Sequence, residues 1–127
     1  MGKNFDGDRT TKVIELRPAS YDVDMSRKAL PQPAREEIRV EAVLQALGEP
    51  VRLQIIRALA GAPDGIACGE IELPVTPSTR AHHLRILREA GVLTTHTEGT
   101  RRISSLRRED LDTLYPGLLT GILTARQ

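Results

Sequence analysis

A chain of 127 residues, 39% of them hydrophobic, is long enough for one domain with a real core and leaves little room for a second. Aromatics make up only 2%, namely Phe5, Tyr21 and Tyr115, so that core is aliphatic and thin, and burial against a second copy would add to it. A single cysteine, Cys68, excludes an intramolecular disulfide framework and any paired-cysteine metal motif. No stretch approaches the ~20 apolar residues of a membrane span. The opening MGKNFDGDRT lacks the apolar segment of a signal peptide, so a cytoplasmic protein is expected.

The net charge of +1 is informative only through its distribution. From Thr76 to Arg108 there are seven arginines and two acids (Glu89, Glu98), a local charge of +5. The remaining eleven basic and fifteen acidic residues leave −4 elsewhere. A basic block in an otherwise acidic chain is the footprint of a nucleic-acid-binding face. Composition alone fits a solvated charged helix equally well.

Residues 1–33 mix charge, Gly and Pro without an apolar period, and are expected to form an N-terminal extension, arm-like or partly disordered. Within it, Val13, Ile14 and Leu16 suit a short strand or arm. Residues 34–127 form the folded unit. A helix is predicted from Ala34 through AREEIRVEAVLQAL, with acids in its first turn and a stop at Gly48. Pro50 opens the next, PVRLQIIRALA, with Val51, Leu53, Ile55, Ile56 and Leu59 inward and Arg52 and Arg57 outward. Ile66 to Leu73 reads as one or two helical turns. Thr76 as N-cap, Pro77 in the first turn and Gly91 after Ala90 then mark both ends of a helix. Beyond Gly91, VLTTHT and TRRISSL flank Glu98-Gly99 as a hairpin. The last helix opens at Glu109 and Asp110 and carries Leu111, Leu114, Leu118, Ile122 and Leu123, with Pro116-Gly117 kinking or interrupting it. The order is mainly α with a small β-hairpin wing, that of a winged helix-turn-helix.

In that architecture the second helix of the helix-turn-helix enters the major groove of DNA. On a wheel of 100° per residue, Leu84 and Leu87 point inward and Ala81 lies near the buried edge. Ser78, Thr79, His82 and Ile86 fall opposite, with Arg85 flanking. Small hydroxyls followed by polar and cationic groups suit base edges and phosphates, and the first-turn N–H groups after Thr76 suit a phosphate. Arg101 and Arg102, just past the hairpin turn, are candidates for phosphate or minor-groove contact.

LQALGEPVRLQIIRALA, PSTRAHHLRILREAGVL and EGTRRISSL, in that order, resemble the arsenic-repressor (ArsR/SmtB) family of winged-helix regulators. The resemblance runs from about Ala34 to the C-terminus. It implies a homodimer held by the first and last helices, a repressor on an inverted-repeat operator in double-stranded DNA, released by an effector. The departures concern that effector. Where metal-sensing members carry paired cysteines, IACGEIEL offers only Cys68, and the last helix has Asp110 and Asp112 but no histidine. No metal site and no cofactor are therefore expected. Arg80 falls toward the inner side, where the family has an aliphatic residue, and its guanidinium would have to snorkel to phosphate.

The remaining polar residues have plainer readings. His82 and His83 point about 100° apart and do not converge on one ion. His83 suits the helix edge, and His96 is expected to face solvent. Cys68 is either a redox-sensitive thiol or, beside Ile66 and Ala67, an inert half-buried one. Ser104 and Ser105 serve β-structure. Nothing resembles a nucleophile–base pair or a phosphate-cradling loop, so no enzyme is expected. The competing class is a winged helix used for protein–protein interaction, which would present an apolar groove where this chain concentrates arginine.

Overall fold

The computed structural model describes residues 29–125. The segment holding Val13, Ile14 and Leu16 lies outside them. A 3-10 turn, Arg35–Glu37, comes first, with the Glu37 carboxylate accepting the Ala34 N–H at 2.8 Å. Ile38 and Arg39 are extended, and helix α1 runs Val40–Leu47. The continuous helix expected from Ala34 is therefore broken. The Ile38 carbonyl accepts the Tyr115 hydroxyl at 3.2 Å, and the Ala42 amide donates to Arg39 instead. The break also turns the Ile38 side chain into the core.

Helix α2, Pro50–Ala60, starts as predicted: Pro50 occupies the first turn and the Glu49 side chain accepts the Arg52 N–H at 2.9 Å. That hydrogen bond is the main reason the Glu49 carboxyl is held below the usual carboxylate range. Ile55, Ile56 and Leu59 are buried, with Val51 and Leu53 packed beside them. Arg52 and Arg57, expected outward, are instead half-buried. The Arg52 guanidinium turns back onto the end of α1, where the last-turn carbonyls of Gln45 and Ala46 attract a cationic donor.

Ile66 to Leu73 is not helical beyond one turn. Strand β1, Ile66–Ala67, pairs antiparallel with Ser104 and Ile103, and Cys68–Glu70 forms a single 3-10 turn. Gly65, at φ +96°, makes this pairing possible, since a Cβ there would lie 2.8 Å from the Ser104 carbonyl oxygen. Helix α3, Pro77–Ala90, carries the caps expected of it: Thr76 Oγ1 accepts the Thr79 N–H at 3.2 Å, and Gly91 is left-handed at φ +89°.

Strands β2, Leu93–Glu98, and β3, Arg101–Leu106, form the predicted hairpin, and the three-stranded sheet has the order β1-β3-β2. Thr95 and Ser104 face each other in register, both buried, and satisfy one another at 2.9 Å. The outer edge of β2 is covered by the chain entering the fold. Leu30 donates its N–H to the Thr95 carbonyl at 2.9 Å, and Thr94 Oγ1 donates to Gln32 Oε1 at 2.6 Å. The C-terminal helix is interrupted as expected, giving α4, Arg108–Leu114, and α5, Leu118–Thr124, with Gly117 left-handed between them. The arrangement is a winged helix-turn-helix in which the helix ahead of α3 is reduced to one 3-10 turn. Among the described residues, no helix is long and apolar enough to cross a membrane.

The junction at Gly91 carries a stability prediction. A Cβ there would stand 2.5 Å from Ile38 Cγ1 on a backbone that L side chains rarely adopt. Gly91→Ala should cost roughly 2–4 kcal/mol in urea unfolding, combining backbone strain with overpacking. A loss below about 0.5 kcal/mol, the scale of a neutral surface change, would show that Ile38 moves aside freely.

Candidate nucleic-acid interface

The fourteen residues of α3 divide sharply by face. Leu84, Leu87 and Ala90 are buried in the core together with His83. Ser78, Thr79, Ala81, His82 and Arg85 are exposed. Two details differ from the wheel: Ala81 is fully on the exposed side, and Ile86 packs partly against the core. His83 sits deeper than a helix edge because Arg52 reaches it, with Nη1 3.1 Å from His83 Nδ1.

At the N-terminus of α3 the hydroxyls form one cluster. Thr76 Oγ1 donates to Thr79 Oγ1 at 3.0 Å and lies 3.4 Å from Ser78 Oγ. One turn on, Arg85 Nη2 lies 3.4 Å from His82 Nδ1, so these two side chains stand together on the open face. Arg80 is half-buried, as its inward position implied, and its guanidinium has no hydrogen-bond or ion-pair partner among the described residues.

The wing holds the second group. Arg101 and Arg102 are both exposed near the tip of β3, and alternation along a strand directs them to opposite faces. Arg101 leans on Glu70 of the 3-10 turn at 3.5 Å, an exposed and hence weak pair. Arg102 has no such partner among the described residues. Cys68 lines the same cleft beside the wing as Glu70, Arg101 and Arg102, half-buried, its Sγ 3.4 Å from Ser104 Oγ. His96 is not solvent-facing as expected: its ring is half-buried and its Nε2 lies 2.9 Å from Glu98 Oε2.

The basic block is less uniform than its sequence. Arg88 donates to the Pro31 carbonyl at 3.3 Å, and Arg107 to the Pro33 carbonyl at 2.6 Å and to Asp110 at 3.0 Å. Arg108 pairs with Asp112 at 3.4 Å and donates to Thr120 at 3.1 Å. These three arginines are engaged within the fold. Arg80, Arg85, Arg101 and Arg102 are the ones left for a ligand, and all four lie on α3 or the wing. Among the described residues no three His, Cys, Asp or Glu side chains converge where they could hold a metal ion.

Residues 47–96, from the end of α1 into β2, match a family described as a helix-turn-helix domain. The uncharacterized HTH-type transcriptional regulator YceK of Bacillus subtilis (strain 168) is 33% identical over 86 residues, 66% of this chain and 85% of that protein. The HTH-type transcriptional regulator Rv2034 of Mycobacterium tuberculosis is 35% identical over 86 residues, covering 61% of this chain and 78% of its own length. The uncharacterized HTH-type transcriptional regulator MJ1325 of Methanocaldococcus jannaschii is 39% identical over 59 residues, 46% of this chain and 66% of its own. With its fold, its capped and outward-facing α3 and these relatives, the chain belongs to the family of HTH-type transcriptional regulators, DNA-binding proteins and not enzymes.

Proposed function

We propose that this protein is a homodimeric repressor of the arsenic-repressor type, binding an inverted repeat in duplex DNA and released by an effector. The observation that carries the DNA-contact reading is the face of α3. Ser78, Thr79, His82 and Arg85 are exposed on a helix whose other face is locked into the core. In this reading Ser78, Thr79 and His82 meet base edges, and Arg85 and Arg80 meet phosphate. The Ser78 N–H, left over where Pro77 has none and the Thr79 N–H bonds to Thr76, supplies a further phosphate donor. Arg101 and Arg102 add backbone contacts from the wing. A protein-docking use of the same face lacks support, because its one large apolar residue, Ile86, is turned partly into the core.

Dimerisation through the first and last helices is supported by apolar surface left over on α1. Val40 is 42% exposed and Leu44 51%, one turn apart on the same side, and both are large aliphatics with nothing over them in the monomer. Leu118, Ile122 and Leu123 of α5 are also only partly covered. Repeat symmetry in the operator would follow from two-fold symmetry in the protein.

The test is fluorescence anisotropy of the full chain with the duplex upstream of its own reading frame against a scrambled duplex, over a salt series. Tight, selective, salt-sensitive binding is expected, and equal weak binding to both would defeat the repressor reading. Replacing Arg101 and Arg102 with Ala should reduce the slope of log K against log salt by about 1 for each phosphate that is no longer neutralised. An unchanged slope removes the wing from the interface.

Alanine at Ser78, Thr79 or His82 should weaken operator binding by roughly 1–3 kcal/mol for each good base contact and leave scrambled DNA nearly unaffected. Equal weakening on both duplexes would contradict base reading by α3.

Val40→Glu combined with Leu44→Glu should shift the protein from dimer to monomer in sedimentation velocity and lower operator affinity with it. A double variant that sediments as the dimer would put the seam elsewhere.

A further inference from the structure

The outward face of α3 is useful only if the helix is fixed in rotation and depth, and one polar clamp stands out against its otherwise apolar seating. From α2, Arg52 donates through Nε to the Ala46 carbonyl and through Nη2 to the Gln45 carbonyl at 3.4 Å, both at the end of α1. Its Nη1 meets His83 Nδ1 at 3.1 Å on α3. Three helices therefore share one guanidinium. Arginine has no lone pair to offer, so Nδ1 is the acceptor and the single ring proton sits on Nε2. The ring is neutral in this arrangement and buried, while its neighbour His82 is exposed.

We propose that Arg52 is a positioning residue for α3, acting through neutral His83, and that protonation of His83 releases the clamp and weakens operator binding. The proposal rests on α3 being the helix that contacts DNA. A protonated ring has two N–H donors and no acceptor, and it sets a second cation against the guanidinium. The charged and titratable groups facing the ring and its clamp include Arg52 and Glu49 from α2 and, from α3 itself, His82, whose ring centroid is 5.8 Å away, and Glu89, which lines the same cleft as Arg52. From α1 come the Gln45 and Ala46 carbonyls, which anchor Arg52 and keep it from following the ring. The Glu49 carboxylate, engaged by the Arg52 amide, attracts a protonated His83 and softens the release without restoring the broken bond. Protonation of His82 acts in the opposite sense, adding a cation to the face presented to phosphate.

The experiment measures operator and scrambled-duplex affinity of the full chain from about pH 8 to about pH 5.5, across the imidazole range, for wild type, Arg52→Lys and His83→Gln. Lysine offers one ammonium where three acceptors are spread apart, so Arg52→Lys should lose about tenfold in operator affinity at the alkaline end, the scale of one charge-assisted hydrogen bond. His83→Gln keeps an acceptor that does not titrate, and it should remove the loss of affinity on the acid side. Parallel pH profiles for wild type and His83→Gln would overturn the proposal. A purely structural role for Arg52 would lower thermal stability and leave the pH profile unmoved. Imidazole 15N shifts give a second readout that needs no DNA: Nδ1 should be unprotonated and hydrogen-bonded in wild type and altered in Arg52→Lys. An Nδ1–H tautomer in wild type overturns the clamp outright. Failure of wild type to bind any duplex while the tautomer is as stated would instead overturn the DNA reading of α3 and, with it, the effect on binding.

Discussion

The left-handed turn at Gly91 is the constraint on which the rest of the domain depends. It ends α3, and within two residues the chain is buried again at Val92 and Leu93 and has become the central hairpin. The Gly91 N–H bonds back to Arg88 and the Val92 N–H to Leu87, so the exit direction is fixed by the last turn of the helix. Ile38 fills the space a side chain at Gly91 would need. Ile38 reaches that spot from the extended backbone that breaks the N-terminal segment before α1. One glycine thus couples the entry of the chain, the exit of α3 and the root of the wing.

Around that junction the structure separates two uses of arginine. Arg88 and Arg107 bond to the carbonyls of Pro31 and Pro33, and Arg108 bonds to α4 and α5 neighbours. They tie the incoming chain and the last helices to the hairpin. Arg85 is held loosely by His82, Arg101 leans on an exposed acid, and Arg80 and Arg102 lack partners among the described residues. Cations with weak or absent partners are cheap to recruit to phosphate, whereas those already bonded within the fold must first give up those bonds. Net charge over the block overstates the ligand-facing charge for this reason.

Local chemistry was legible in the sequence, and its long-range consequences were not. Thr76, Pro77 and Gly91 bound α3, Pro50 opens α2, and Pro116-Gly117 splits the C-terminal helix, because each acts through its own backbone angles and hydrogen bonds. The exposed Ser78, Thr79, His82 and Arg85 follow from helical periodicity once Leu84 and Leu87 are taken as core. Strand β1 is different. Two residues carry no period, and their pairing depends on Gly65 letting β3 approach from 38 residues away, as the Ile66–Ser104 register shows. The break at Ile38 likewise depends on Tyr115, at the far end of the chain. No window of local sequence contains either cause.

The adjacent histidines show how such distant contacts decide function. In sequence, His82 and His83 are chemically equivalent neighbours on one helix, and spacing separates them only by about 100° of rotation. In the fold, one stands beside Arg85 on the open face and the other is buried against Arg52. The difference lies in the partner each meets. A half-buried arginine that would otherwise leave its donors unpaired is anchored on the end of α1 and demands an acceptor. Among the forms of His83, the neutral imidazole with its proton on Nε2 is the one that satisfies it. In the proposed clamp, protonating the two rings has opposite consequences for an anionic ligand, one by adding charge to the outward face and the other by loosening its support. A helix proposed to read DNA needs both an open face and a fixed back, and here consecutive residues of the same type stand one on each side.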